Sequence, residues 1–262
     1  MKPVSGWRKQ PFTPKNENGK LYGLGSNDAG ASLVSLFQVY RHLSMTTQSY
    51  NLIFLASCEE EVSGKNGIES VLPQLPPIAL GVVGEPTEMQ PAIAEKGLMV
   101  LDVTARGKSG HAARNEGENA IYKLLPDIEW FRTYKFPKES PILGPVKMSV
   151  TQINAGTQHN VIPDLCSIVV DIRSNECYSN EELFAEICQH IQSEAKARSF
   201  RLNSSSIPSD HPFVKRAIEL GKVPFGSPTL SDQALMPFPS VKMGPGKSSA
   251  RTPPMNTFSS VK

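Results

Sequence analysis

No run of basic residues marks this chain. Lysine and arginine outnumber aspartate and glutamate by only two, giving a formal charge of +2. That balance argues against a dedicated binder of nucleic acid or another polyanion. No apolar run approaches the ~20 residues that a membrane-spanning helix needs. Segment 1–14 is polar, with no apolar stretch behind Trp7, Arg8 and Lys9, so no signal peptide is expected. The four cysteines, Cys58, Cys166, Cys177 and Cys188, form no CxxC pair. Reduced thiols in a cytoplasmic protein are the simplest reading. No strand–GxGxxG–helix pattern is complete, which leaves no dinucleotide loop. What remains is 262 residues, 39% hydrophobic and 20% charged, enough for one large or two modest domains with a packed core.

The stretch 51–64, NLIFLASCEEEVSG, organises the rest. It predicts an apolar strand over 52–56 that runs into three consecutive carboxylates, Glu59, Glu60 and Glu61. Three like charges at the end of a buried strand are costly unless a cation faces them. A solvated acidic loop is the plain alternative. The neighbours favour the cation. In LYGLGSNDAG, Asp28 lies among glycines just before a helical pattern at Leu33, Leu36, Phe37, Tyr40 and Leu43. An N-cap explains an aspartate there, but not the flanking glycines, which suit a close backbone approach. A helix near 67–75 and a strand over 78–83 follow, and that strand ends in GEPT with Glu85. Strand, helix, strand is the α/β pattern, and such sheets place ligands at the carboxyl ends of their strands.

Segment 1–25 reads as a turn-rich surface connection, broken by Pro11, Pro14, Asn16, Asn18 and Gly19. From Ala94 the texture changes. Strands are expected over 98–105, 147–153 and 166–172, with a helix over 120–134 and an amphipathic helix over 180–197 capped at Ser179. Segment 200–204 is the expected last strand. Strand, helix, strand, strand, helix, strand is the order of a ferredoxin-like unit. It would be inserted as 94–204 into a first domain made of 1–93 and 205–262. A helix over 210–221 and the segments SPTLSDQALM and PSVKMGPG return the chain to the first sheet.

Taken together, WRKQPF with NGKLYGLGSNDAG, then SCEEEVSGKNG, GEPT, GKSGHAA, GTQHNVIP with DIR, and GPG resemble the two-zinc metallohydrolases. That group includes acetylornithine deacetylase, succinyl-diaminopimelate desuccinylase and the aminoacylases. The likeness spans residues 3–249. It implies an α/β, phosphorylase/hydrolase-like zinc-peptidase catalytic domain, incomplete here, with an inserted ferredoxin-like α+β lid and dimerisation domain. It also implies two Zn2+ ions per site, with Co2+ a possible substitute. By position, Asp28 matches the carboxylate bridging the metals, Glu61 a ligand of one and Glu85 a ligand of the other. Glu60 matches the general base and His111 the histidine brought to the reacting carbonyl. Asn160 and Arg173 match substrate contacts, and a homodimer forms through the inserted domain. From spacing alone, His111 reads as a loop histidine and Arg173 as a salt-bridge partner. His159 reads as a neighbour of the substrate loop, His42 and His190 as surface residues and His211 as structural.

The pattern departs from this group at both ends. Relatives carry an H-x-D motif just before the segment matching 2–7, and a histidine shortly after GPG. Neither histidine is present here. ARTPPMNTF, read in the neighbouring frame, can encode SSHTADEYI, which resembles the ending of this group. A frame shift after Ser249 and a start assigned too far downstream are therefore expected, with weak metal binding and little activity for these 262 residues. The function expected of the parent is metal-dependent removal of the acyl group from an N-acyl amino acid, N-acetylornithine in arginine biosynthesis before others. A desuccinylase, a dipeptidase and a catalytically dead relative are the alternatives.

Overall fold

The structure, a computed structural model, describes residues 9–114, 116–248 and 257–259, the last three by backbone alone. The expected start error concerns residues 1–8, outside the described residues, and the expected frame shift those after Ser249, of which 257–259 alone are described. In chain order the elements are β1 (Lys15–Glu17), β2 (Lys20–Tyr22), α1 (Ala31–Leu43), α2 (Ile68–Val71), β3 (Gly81–Val83) and β4 (Ala92–Glu95). Next come β5 (Met99–Arg106), β6 (Gly110–His111), α3 (Ala120–Thr133), β7 (Lys147–Ala155), β8 (Val161–Ile162), β9 (Leu165–Arg173), α4 (Asn180–His190) and β10 (Glu194–Ala197). The chain ends with β11 (Ser205–Ser206), α5 (Pro212–Glu219), β12 (Phe225–Ser227), β13 (Ser240–Lys242) and β14 (Thr257–Ser259). They divide into two compact units. One runs to Ile93 and takes in Ser206–Phe225 and the chain from Ser231 on; the other is Ala94–Ser205 with Gly226–Leu230.

In the second unit the sheet order is β10-β5-β9-β7, every pair antiparallel. With α3 and α4 in the connections, this is the ferredoxin-like arrangement expected above. β5 and β9 alternate buried and half-buried residues along their length, the period-2 pattern of a sheet covered on one face. Leu101, Val103, Ile168 and Val170 meet Leu124 and Phe131 of α3 and Leu183 and Ile187 of α4 in one core. Ser179 caps α4 in a full capping box with Glu182.

Helix α4 is shorter than the expected 180–197. Asp127 of α3 explains the stop. Its buried carboxylate accepts the backbone N–H of Gln192 and of Ser193, each at 3.0 Å. The chain leaves the helix extended at Ile191 and becomes β10, whereas 200–204 forms no strand.

The first unit is built on shorter elements. β13 lies between β3, to which it is parallel, and β4, to which it is antiparallel. Its core is small: Ile93, Ile207, Val214 and Val241. Segment 15–22 is not a featureless connection. β1 and β2 form a hairpin, with Asn18 and Gly19 at positive φ (51° and 72°). Asn-Gly is the pair favoured where both turn residues must be left-handed. The expected strand at 52–56 is absent: 51–59 carries no strand ladder. A strand needs a neighbour for its backbone groups, and among the described residues none pairs with this segment. The helix expected near 67–75 is α2 followed by a 3-10 turn at Leu72–Gln74, where Pro73 stops the regular ladder. His211 is structural, its Nδ1 accepting the N–H of Phe213 at 3.2 Å to cap α5.

Replacing Asp127 with alanine leaves the N–H groups of Gln192 and Ser193 without their carboxylate acceptor. It should lower stability by about 3 kcal/mol, while Asp127→Asn, which keeps one acceptor, should lose less. Urea unfolding followed by circular dichroism measures both.

Candidate metal centre

Three of the sequence motifs are stitched together at the carboxyl ends of the parallel pair β3 and β13. Glu85 follows β3, and Gly244–Gly246 follow β13. The Thr87 and Met89 N–H groups donate to the Gly244 carbonyl at 3.1 and 2.9 Å, and Glu88 N–H donates to the Gly246 carbonyl at 2.8 Å. Gly244 N–H returns a bond to Thr87 Oγ1 at 3.1 Å. From GSND, the buried Asn27 donates through Nδ2 to the Lys247 carbonyl at 3.1 Å and accepts the Lys247 N–H at 3.3 Å. The approach is too close for side chains. A Cβ on Gly244 would strike Ser32 Oγ and lie 2.7 Å from the Glu85 carbonyl; one on Gly246 would strike Asn27 Oδ1. Asp28 itself lies in a single turn, Ser26–Gly30, with φ −120° and ψ 93°, directly before α1.

The acidic triplet is arranged differently from expectation. Glu60–Val62 is a 3-10 turn, so Glu60 and Glu61 do not face opposite ways along an extended chain. Glu59 forces the turn. It sits at left-handed φ 60°, its carbonyl accepts Gly64 N–H at 3.0 Å, and its carboxylate holds both the N–H and Nδ2 of Asn66 at 3.1 Å. Glu59 is thus the structural member of the three.

Glu60 is where the charges meet. Its carboxyl is pushed from the ordinary 4.5 up to about 8, chiefly by burial, then by the negative fields of Glu85, Asp232, Glu61 and Asp28. The three expected ligands, Asp28, Glu61 and Glu85, therefore lie within electrostatic reach of the expected base. Asp232 is the member that sequence reasoning missed. It begins a 3-10 turn, Asp232–Leu235, capped by Ser231, and it accepts a hydrogen bond from Ser57 Oγ at 2.8 Å. Ser-Asp at a turn start reads as a cap, so no spacing signal marked it. The gathered charge suits a divalent cation, and carboxylate oxygens are competent donors. The ligation does not close: among the described residues no three His, Cys, Asp or Glu side chains form a group that could hold a metal ion. Among the described residues no histidine contributes to the field at Glu60.

In the other unit, β6 and β8 pair His111 with Val161, next to Asn160, and the Asn160 carbonyl accepts Ala112 N–H at 3.0 Å. The fold thus brings His111 and Asn160 together. His111 is exposed, and its Nδ1 accepts Ala113 N–H at 3.2 Å. The neutral ring then carries its proton on Nε2, an outward donor. Arg173, at the end of β9, forks onto Asp171 through Nε and Nη2 at 2.7 and 3.0 Å. His159 and His42 are exposed, and His190 is exposed and stacked on Trp130. All four cysteines are free thiols. Among the described residues no helix is long and apolar enough to cross a membrane.

Residues 93–199 match the M20 dimer family, the peptidase dimerisation domain. Among solved structures, an M20 family metallo-carboxypeptidase of Sulfolobus solfataricus, Sso-CP2, superposes with TM-score 0.71 at 18% identity, covering 98% of this chain and 77% of that one. The aminopeptidase PepT of Bacillus cereus gives TM-score 0.70 at 18% identity, over 88% and 67%. The chain thus has the fold of these M20 structures, and residues 93–199 match the peptidase dimerisation domain. The chain is 30% identical to acetylornithine deacetylase of Proteus mirabilis over 176 residues, 64% of this chain and 45% of that protein. It is 29% identical to succinyl-diaminopimelate desuccinylase of Paracidovorax citrulli over 190 residues, 67% and 48%. The chain spans about half the length of these curated relatives.

Gly244→Ala should destabilise the first unit by about 2 kcal/mol, because backbone and a buried serine must shift to admit one methyl. Gly23→Ala, whose Cβ would meet Pro14 at an ordinary 3.8 Å, should change little. Thermal unfolding of both variants provides the comparison.

Proposed function

We propose that the chain is the carboxylate-bearing part of a metal-dependent amide hydrolase that removes the acyl group from an N-acyl amino acid, N-acetylornithine before others. The observation that carries this reading is the meeting of Asp28, Glu61, Glu85 and Asp232 in the field at Glu60. Asp28, Glu61 and Glu85 are the proposed cation ligands. A bound divalent cation, zinc or cobalt, would polarise the amide oxygen and acidify water. Glu60 is the proposed general base, its proton affinity raised by partial burial and by the neighbouring carboxylates. His111, with its proton directed to Nε2, is the proposed donor to the developing oxyanion. Asn160 and Arg173 are the proposed substrate contacts. Two guanidinium nitrogens of Arg173 are engaged by Asp171, which leaves Nη1 to meet a substrate carboxylate.

A desuccinylase acting on succinyl-diaminopimelate is the second reading, supported by the nearly equal identity to that enzyme. Both substrates offer an amide beside a carboxylate, so the residues named serve either. Hydrolysis assays on a panel of N-acyl amino acids, with zinc or cobalt added, test the proposal. The chain should retain metal weakly after dialysis, because its carboxylates form no closed ligand group. Any turnover should fall by at least ~100-fold in Glu60→Gln, the scale of a lost general base. Turnover unaffected by chelators or by Glu60→Gln would exclude this reading.

The second unit is proposed to form a homodimer through β7. This strand ends the sheet, so its outer backbone groups lack a ladder partner, and Ile153 on it is 56% exposed. Tyr122 and Leu125 on α3 add exposed apolar surface. Sedimentation should show a dimer that Ile153→Lys converts to monomer, with an unchanged circular dichroism spectrum. A wild-type monomer would overturn this assignment.

A further inference from the structure

The segment that delivers Glu60 and Glu61 is packed through Phe54, whose ring lies 5.2 Å from that of Phe37 and 5.8 Å from that of Tyr40 on α1. Residues 51–59 have no strand pairing. The bonds around the acidic turn are local: Val62 N–H and Gly64 N–H to the Glu59 carbonyl, Ser63 N–H to the Glu60 carbonyl, and Asn66 to the Glu59 carboxylate. One hydrogen bond reaches much further. Ser57 Oγ donates to Asp232 Oδ2 at 2.8 Å, across 175 positions of sequence.

The far end of that bond is fixed. Ser231, Asp232 and Gln233 are buried. Gln233 Nε2 donates to Ser240 Oγ at 3.0 Å, which pins the 3-10 turn to β13. β13 is in turn registered with β3, so the turn is referenced to the strands whose ends carry Glu85 and the Gly244–Gly246 loop.

We infer that Asp232 is a positioning residue, which anchors Ser57 and thereby sets where Glu60 and Glu61 stand relative to the strand ends of the first unit. The inference rests on the proposed roles of those two glutamates. Asp232 acts through an acceptor oxygen, so its part in positioning needs a correctly placed oxygen and not a negative charge. Asparagine can supply the oxygen; alanine cannot. The field of Asp232 at Glu60 agrees with its proximity.

Hydrogen exchange on the full 262-residue chain, read peptide by peptide, tests the anchor. Ser57→Ala and Asp232→Ala should each speed exchange across 57–63 by about fivefold, the effect of losing one hydrogen bond. The double variant should go no further than Asp232→Ala alone, because the Ser57 bond is already lost in that variant. Asp232→Asn should stay within twofold of wild type. Exchange in the β5–β9 core should not change in any variant, which separates a local release from general destabilisation. Unchanged exchange at 57–63 in Asp232→Ala, additive single effects, or an Asp232→Asn effect as large as that of alanine would each overturn the inference. Mn2+ titration of the same proteins reports separately on the metal reading. Failure to bind Mn2+ would count against the proposed function and leave exchange to decide the anchor.

Discussion

Like charges gathered at the ends of several elements are the constraint on which the first unit depends. Glu60 is half-buried with four other carboxylates in its field, and burial and those charges together push its carboxyl up to about 8. A fold does not collect such groups for stability, because each further negative charge disfavours ionisation of the others. The collection persists because each carboxylate is fixed by a different element. Asp28 lies in the turn before α1, Glu85 at the end of β3, Glu61 in a turn forced by Glu59, and Asp232 in a capped 3-10 turn.

The glycines are what allow these elements to come so near. At Gly244 and Gly246 no side chain fits against Ser32, Asn27 and the Glu85 backbone. Backbone pairs with backbone there: Thr87, Glu88 and Met89 all donate to Gly244 or Gly246. The glycine-flanked motifs GSND, GEPT and GPG are thus three sides of one joint. The glycines that flank Asp28 answer a local demand: Gly25 sits at φ 79°, and a Cβ on Gly30 would lie 2.6 Å from the Gly25 carbonyl.

Legibility in the sequence followed how local each cause is. The second unit was readable because periodic burial along β5, β9, α3 and α4 is written into each segment by itself. Even the Ser179 cap with Glu182 is a four-residue signal. The end of α4 was not readable, since the group that stops it is Asp127, more than sixty positions earlier. The apolar run at 52–56 was misread as a strand for a related reason. Composition reports what a segment can bury, while strand formation depends on a neighbour that composition does not contain. The β1–β2 hairpin could have been found from Asn18-Gly19, a local signal that was passed over as a break. At the site, Asp28, Glu60, Glu61 and Glu85 were visible as acids at element ends. Asp232 was not, because its tie to Ser57 exists only once the chain has folded.

The two units answer different physical demands. The second is a well-filled sheet and helix layer whose named donors lie on its margins: exposed His111 in a short β6–β8 pair, and half-buried Arg173 at the end of β9. Its core is satisfied without them, so those side chains are available for chemistry at little cost to folding. The first unit has the reverse balance. Its apolar core is small, and two of its gathered acids, Glu85 and Asp232, are buried, where like charges oppose stability. A cation in the field of Glu60 would offset that repulsion and stabilise the unit by binding the folded state alone. On this view the electrostatic strain at Glu60 and the proposed affinity for a metal are one property. The same carboxylates that weaken the empty unit are those that would make it bind.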